Sequence, residues 1–235
     1  MNKEFAGGYS AAEVVTLFKR RLPALRRGLL RWFATHQRDY PWRKTENWFH
    51  LLMAEMMLRR TRADQVVPVY REFCKRYATP GAAASARPQT FARILQPLGL
   101  AWRGRQLRDT VHFLKDAYEN RVPAPADDLE EIPGVGPYSS AMLRNRLFNE
   151  PIAAVDSNVA RFVCRLLDRP YHAESRRDRE VIELANRFVN SPRSRELNLA
   201  ILDLSALVCK PRTPRCSECL LAGLCETGRR SASQS

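Results

Sequence analysis

Apolar residues recur every three or four positions along most of the chain, and no stretch alternates cleanly enough to read as a pair of strands. Over 9–33, Val14, Val15, Phe18, Leu22, Leu25, Leu29, Leu30 and Phe33 keep a period near 3.6, which predicts one or two helices with Ser10 as N-cap. A polar connection over 36–48 holds Tyr40-Pro41-Trp42-Arg43. The segment 49–77 has a strong helical pattern, while 79–90 is rich in small residues and is expected to be a loop. Residues 91–96 and 105–118 read as helices, the first ended by Pro97. After a proline-bearing connection over 121–128 the pattern is helical again over 138–148. It continues through Val159, Phe162, Val163, Leu166 and Leu167, then Val181 to Phe188, then 197–208. The expectation is an all-α fold without internal repeats, with only the final GRRSASQS disordered.

Some residues stand out against this background. Pro133-Gly134-Val135-Gly136-Pro137 reads as a tight turn ahead of the helix over 138–148. Glycines open backbone conformations closed to other residues and let a phosphate approach the N–H groups, and the helix start adds partial positive charge. Twenty residues after Gly136 stands a carboxylate, Asp156. Glu55 falls inside the apolar stretch 50–58, an expensive place for an unpaired charge, which marks it as a functional candidate. Cys209, Cys216, Cys219 and Cys225 are separated by six, two and five residues. Four thiolates in one compact loop can hold tetrahedral zinc or an iron–sulfur cube, and residue type alone does not separate the two. Cys74 and Cys164 fall on apolar helix faces and read as core residues.

With 235 residues the chain can form one sizeable domain, or two smaller ones sharing a core. Its formal charge of +14 points to a polyanionic partner. Six of the 39 basic residues are lysine and 33 are arginine, whose planar fork suits phosphate and guanine, so nucleic acid is favoured over an anionic membrane. No apolar run approaches the length of a membrane span, and MNKEFAGGYS has no signal-peptide core. A soluble, cytoplasmic protein is expected, and cysteines at metal-ligand spacing fit a reducing compartment.

The stretch over 129–161, LEEIPGVGPYSSAMLRNRLFNEPIAAVDSNVAR, resembles the helix-hairpin-helix-GPD superfamily of DNA glycosylases in its LxxIPGVGxYxxA hairpin and its VDxNVxR segment. The cysteine spacing is similar to the C-terminal [4Fe-4S] loop of the endonuclease III and MutY branches. Met57-Leu58-Arg59-Arg60-Thr61 looks like the LLRRT segment of the Mig-type G:T mismatch thymine glycosylases, and the resemblance runs from about Leu29 to Cys225. It implies two lobes: a six-helix lobe over 46–153 with the hairpin at 129–148, and a second lobe of the N-terminal helices within 1–45 plus 154–225, followed by a disordered tail over 226–235. The implied cofactor is a [4Fe-4S] cluster, and a monovalent cation at the hairpin is also expected.

The resemblance further implies the chemistry. Asp156 would stabilise the oxocarbenium-like sugar and orient or deprotonate water, with a nucleotide flipped into a pocket between Glu55, Tyr138 and Asp156. Lyase members carry a lysine two residues after the second hairpin glycine; here Tyr138 stands there, and no lysine occurs between Lys115 and Lys210. A monofunctional enzyme is therefore expected. Tyr138 favours thymine or uracil opposite guanine, while Glu55, the acid of the adenine branch, keeps adenine opposite guanine or 8-oxoguanine as the alternative. Arg60 would fill the gap left by the extruded base, with Arg59 beside it and Gly134, Val135 and Gly136 on the phosphate backbone. In the turn over 99–104 the contact could come from Leu100, Trp102 or neither. Lys210 and Arg212, with Arg215, would lie on phosphates. The expected partner is double-stranded DNA with a mismatched or damaged base, bound by a monomer, with no membrane involved.

Overall fold

The computed structural model describes residues 11–99, 101–125 and 127–233, and all their side chains except those of residues 11–15, 101 and 103. The Ser10 cap, the side chains of Val14 and Val15, and Leu100 lie outside the described residues. In chain order the α-helices are α1 (Ala11–His36), α2 (Trp48–Leu58), α3 (Ala63–Arg76), α4 (Pro80–Ala84), α5 (Pro88–Leu95), α6 (Ala101–Tyr118), α7 (Pro137–Phe148), α8 (Ser157–Leu166), α9 (Arg179–Val189), α10 (Ser194–Leu207) and α11 (Glu226–Ser233). Among the described residues there is no strand, and the fold is all-α. No helix among them is long and apolar enough to cross a membrane.

The chain divides into two compact units, one of residues 39–148 and one of residues 1–38 together with 149–235. The first is built on α2, whose Asn47 cap accepts a hydrogen bond from the His50 N–H at 3.1 Å. Phe49, Phe73, Phe91, Leu107 and Leu114 fill its core. Each such side chain, fully buried, contributes about 1.5–3 kcal/mol. Trp42 joins them, stacked on Tyr40 at 4.8 Å and edge-on to Tyr70 at 5.5 Å, so the Pro-Trp connection packs inward.

The second unit packs Phe18, Leu25 and Leu29 of α1 against Phe162, Phe188 and Leu204. Where the chain enters and leaves it, buried polar groups hold the backbone. Asp203, on α10 and fully buried, accepts from the Arg38 N–H at 3.0 Å and from Arg38 Nε at 2.6 Å. Asn186 and Asn198 accept from the N–H groups of Ala153 and Ala154 at 2.8 and 3.0 Å.

The helix boundaries depart from the sequence expectation most plainly in four places. The segment 49–77 is two helices, because the chain turns at Arg60, whose φ of +57° ends α2. Residues 80–84, expected as loop, form α4, capped by Thr79 Oγ1 on the Ala82 N–H at 3.2 Å and opened by Pro80. Helix α6 starts four residues earlier than the pattern indicates. Residues 226–233, expected as a disordered tail, form α11, tied down by ion pairs from Arg21 to Glu226 and from Arg230 to Asp168.

Candidate functional site

In the unit of residues 39–148 the hairpin is a reverse turn closed by the Val135 N–H donating to Ile132 O at 2.9 Å. Its two glycines differ in what they are for. Gly134 has φ of +85°, and a Cβ there would lie 2.8–2.9 Å from Met56 and Gln106, so the fold itself requires glycine. A Cβ on Gly136 would meet nothing within 4 Å. The absent side chain at Gly136 therefore leaves the surface clear for something outside the protein. Val135 puts its side chain in the core and spends its N–H on the turn.

Helix α7 follows, opened by Pro137, with Tyr138 half-buried in its first turn and the Ser140 N–H bonded to Gly136 O at 2.9 Å. Helix α2 packs on α7. Eight of its eleven residues are buried, and Glu55 is the half-buried acid among them. Beyond α2, Arg59 and Arg60 are both exposed, and Arg59 donates through Nη1 to Gly134 O at 2.9 Å and to Gln106 Oε1 at 3.2 Å. Trp102, at the start of α6, is exposed.

In the other unit Asp156 is the N-cap of α8. Its Oδ1 accepts from the N–H groups of Asn158 and Val159, both at 2.8 Å, and its Oδ2 accepts from Asn158 Nδ2 at 2.7 Å. Three of a carboxylate's four acceptor positions are thus fixed and one is left. Asn158 is itself held: its Oδ1 accepts from Arg161 Nη2 at 3.1 Å, and Arg161 Nε donates to Cys209 O at 3.1 Å. A continuous line of side chains runs from the Asp156 carboxylate to the backbone of the first cysteine.

Cys209, Cys216, Cys219 and Cys225 line one pocket, with Arg165 and Gly228 also on its wall. Arg165 Nη1 donates to Cys209 Sγ at 3.3 Å and to Lys210 O at 2.6 Å. Burial pushes the Cys225 thiol up to about 12 and raises Cys219, and the neighbouring cysteines act in the same direction. Among the described residues no three Cys, His, Asp or Glu side chains converge on a single-ion site. Four cysteines on one pocket wall supply the thiolates that a metal centre needs, and binding would replace the thiol protons.

Residues 53–190 match the HhH-GPD superfamily of base excision DNA repair proteins. The chain belongs to this superfamily. Residues 209–225, the stretch that holds the four cysteines, match the iron–sulfur binding domain of endonuclease III, which indicates an iron–sulfur cluster. The chain is similar to a thymine-DNA glycosylase of Aeropyrum pernix, 34% identical over 89% of this chain and 96% of that protein. It is also similar to a thymine/uracil-DNA glycosylase of Methanothermobacter thermautotrophicus, 31% identical over 84% of this chain and 90% of the other. A solved structure of a thermostable thymine-DNA glycosylase superposes with a TM-score of 0.84 at 29% identity, covering 90% of this chain and 98% of that one.

In this HhH-GPD protein the structure gathers the hairpin, Arg59 and Gln106 in one unit, and Asp156 and the four cysteines in the other. Arg212 is exposed on the cysteine loop. Lys210 is half-buried, and Arg215 is paired with Glu218 at 3.3 Å. Sequence reasoning missed Arg161 and Asn158. Arg161 is 3% exposed in a helix otherwise buried through apolar residues, the same signal that singled out Glu55.

Proposed function

We propose that this DNA glycosylase is monofunctional and hydrolyses the N-glycosidic bond of thymine or uracil mispaired with guanine in duplex DNA, leaving an abasic site. The observation that carries the reading is Asp156, a carboxylate whose direction is set by three donors at the head of α8. As the bond from C1′ to the base breaks, its electron pair leaves with the base and positive charge builds on the sugar. Asp156 stabilises that charge, and water adds to C1′ while giving up a proton to the carboxylate. Tyr138 occupies the place where a Schiff-base amine would be needed, which supports hydrolysis without strand cleavage. The similarity to thymine and thymine/uracil glycosylases over nearly their whole lengths supports the base assignment.

Glu55 supports a second reading, because an acid on α2 could protonate a departing adenine opposite guanine or 8-oxoguanine. Exposed Arg60 is assigned to the gap left by the flipped base, and Gly136 to the phosphate backbone, with a monovalent cation at the hairpin. The cluster is assigned as [4Fe-4S], a scaffold for the basic loop carrying Lys210 and Arg212 on DNA. The protein acts as a cytoplasmic monomer in this reading.

The test is strand cleavage, with and without hot alkali, on duplexes holding G:T, G:U, A:G and A:8-oxoguanine, with Asp156→Asn alongside. Alkali-dependent cleavage of only the T or U strand, absent in Asp156→Asn, is expected. Cleavage of the adenine strand moves the assignment to the second reading. Borohydride trapping of a protein–DNA adduct overturns the monofunctional assignment.

A further inference from the structure

Arg59 belongs to a run of arginines that would ordinarily be read as a basic face for DNA, yet its guanidinium is turned toward the protein. Nη1 donates to Gly134 O at 2.9 Å and to Gln106 Oε1 at 3.2 Å. The preceding carbonyl of the same hairpin, Pro133 O, accepts from Thr110 Oγ1 at 2.6 Å. Gln106 and Thr110 lie one turn apart on α6, and Trp102 lies one turn before Gln106, so the three form a row on one helix face. Gly134 fits against Met56 in the last turn of α2 and against Gln106, with no room for a Cβ. Immediately after Arg59 the backbone enters the left-handed region at Arg60, with φ of +57°, a conformation that survives in a non-glycine residue only where its surroundings hold it.

One guanidinium therefore joins the turn that projects Arg60, the carbonyl side of the hairpin whose open side faces outward at Gly136, and helix α6, which carries Trp102 in its first turn. We infer that Arg59 is a positioning residue: it ties the turn bearing Arg60 to the hairpin, so that holding the DNA backbone and inserting a side chain into the base stack are one coupled act. This rests on the assignment of Arg60 and the hairpin made above. Both bonds leave one nitrogen, Nη1, carried at the end of arginine's long planar head, whereas the lysine ammonium sits on a shorter, flexible stem and does not hold that point. A displaced turn would leave binding intact and misplace the inserted side chain, and a displacement of about 1 Å can cost about 100-fold in rate.

The experiment compares the iron-loaded wild type with Arg59→Ala, Arg59→Lys and Gln106→Leu. Affinity and its salt dependence are measured on a duplex holding a tetrahydrofuran abasic analogue, which needs no excised base. Stack opening is followed by 2-aminopurine fluorescence beside a G:T mismatch, and single-turnover excision is measured on the same duplex. Both Arg59 variants are expected to keep affinity and salt slope while the fluorescence rise and the excision rate fall about 10- to 100-fold. Gln106→Leu is expected to give the same pattern in weaker form.

A salt slope reduced by about one in Arg59→Ala and restored in Arg59→Lys would make Arg59 an ordinary phosphate contact and overturn the inference. Wild-type stack opening and excision in Arg59→Ala would overturn it equally. If wild type neither opens nor cleaves the G:T duplex, the base assignment fails instead. The slope on the abasic duplex then still decides the role of Arg59, unchanged for positioning and reduced for contact.

Discussion

The glycines of the hairpin show how one residue type serves two physical needs two residues apart. At Gly134 the need is internal: a positive φ, and Met56 and Gln106 where a Cβ would stand. Alanine there takes on left-handed strain of about 1–3 kcal/mol and must also push those side chains away. At Gly136 the backbone is ordinary and the space is empty, so alanine should change stability by no more than about 0.5 kcal/mol. On the proposed reading, the new methyl group would instead stand where a phosphate approaches. Gly134→Ala should lower the melting temperature clearly. Gly136→Ala should melt like wild type and bind DNA about tenfold more weakly, equivalent to about 1.4 kcal/mol. Thermal unfolding paired with a binding isotherm separates the two, and equal effects of both substitutions on melting would refute the division of labour. Asp156 shows a similar doubling, since the cap of α8 is also the carboxylate proposed for the chemistry. In Asp156→Asn one oxygen can still cap α8, but the new amide NH₂ faces Asn158 Nδ2, and Asn158 cannot turn over without losing Arg161. That variant should therefore lose about 1 kcal/mol along with excision.

At the scale of elements, the sequence reveals what periodicity and spacing encode and conceals what single contacts decide. The hairpin was legible because its two glycines and two prolines sit in five residues, and the cysteine loop because its spacing is compact. The break after α2 was not, because Arg60 takes a conformation that its side chain gives no sign of. The inward turn of Arg59 was hidden for the same reason, since a run of arginines reads alike whether it faces DNA or a carbonyl. Helix α11 was hidden because GRRSAS lacks an apolar stripe. It exists through ion pairs, through Thr227 Oγ1 donating to Arg165 O at 2.9 Å, and through Gly228, where a Cβ would stand 2.7 Å from the Ala222 backbone. Gly228 also lines the cysteine pocket. Gly228→Val should lift α11 off the loop, at a cost of about 1–3 kcal/mol, and open the pocket to oxidants. Purified protein should then hold less iron, and its visible absorption should bleach faster in air. Gly223→Ala, at a position with open space, is the control expected to leave both unchanged. Equal bleaching rates for Gly228→Val and wild type would show that α11 does not guard the pocket.

For the molecule as a whole, chain order and core membership do not coincide. Residues 39–148 are continuous and enclose their own core around Phe49, Phe73, Phe91 and Leu114, whereas the unit that carries the cysteines is assembled from both ends of the chain. Its core needs Phe18, Leu25 and Leu29 from α1 beside Phe162 and Phe188 from α8 and α9. It also needs Arg38, which pairs with the fully buried Asp203, and breaking such a pair costs about 3–5 kcal/mol. The two units should therefore respond differently to being cut out. A fragment of residues 39–148 is of a size that commonly folds alone. It should show helical circular dichroism and a cooperative melt, and it should bind no iron. A chain beginning at residue 39 loses five core side chains, Phe18, Leu25, Leu29, Trp32 and Phe33, and the partner of Asp203 together. It should keep the fold of 39–148 and fail to hold the cluster, seen as loss of visible absorption with much of the helical signal retained. A fragment of 39–148 that melts without cooperativity would mean that this stretch is not a folding unit. Full iron in the truncated chain would mean that α1 is dispensable to the cysteine lobe, against the burial of Phe18, Leu25 and Leu29 at its centre.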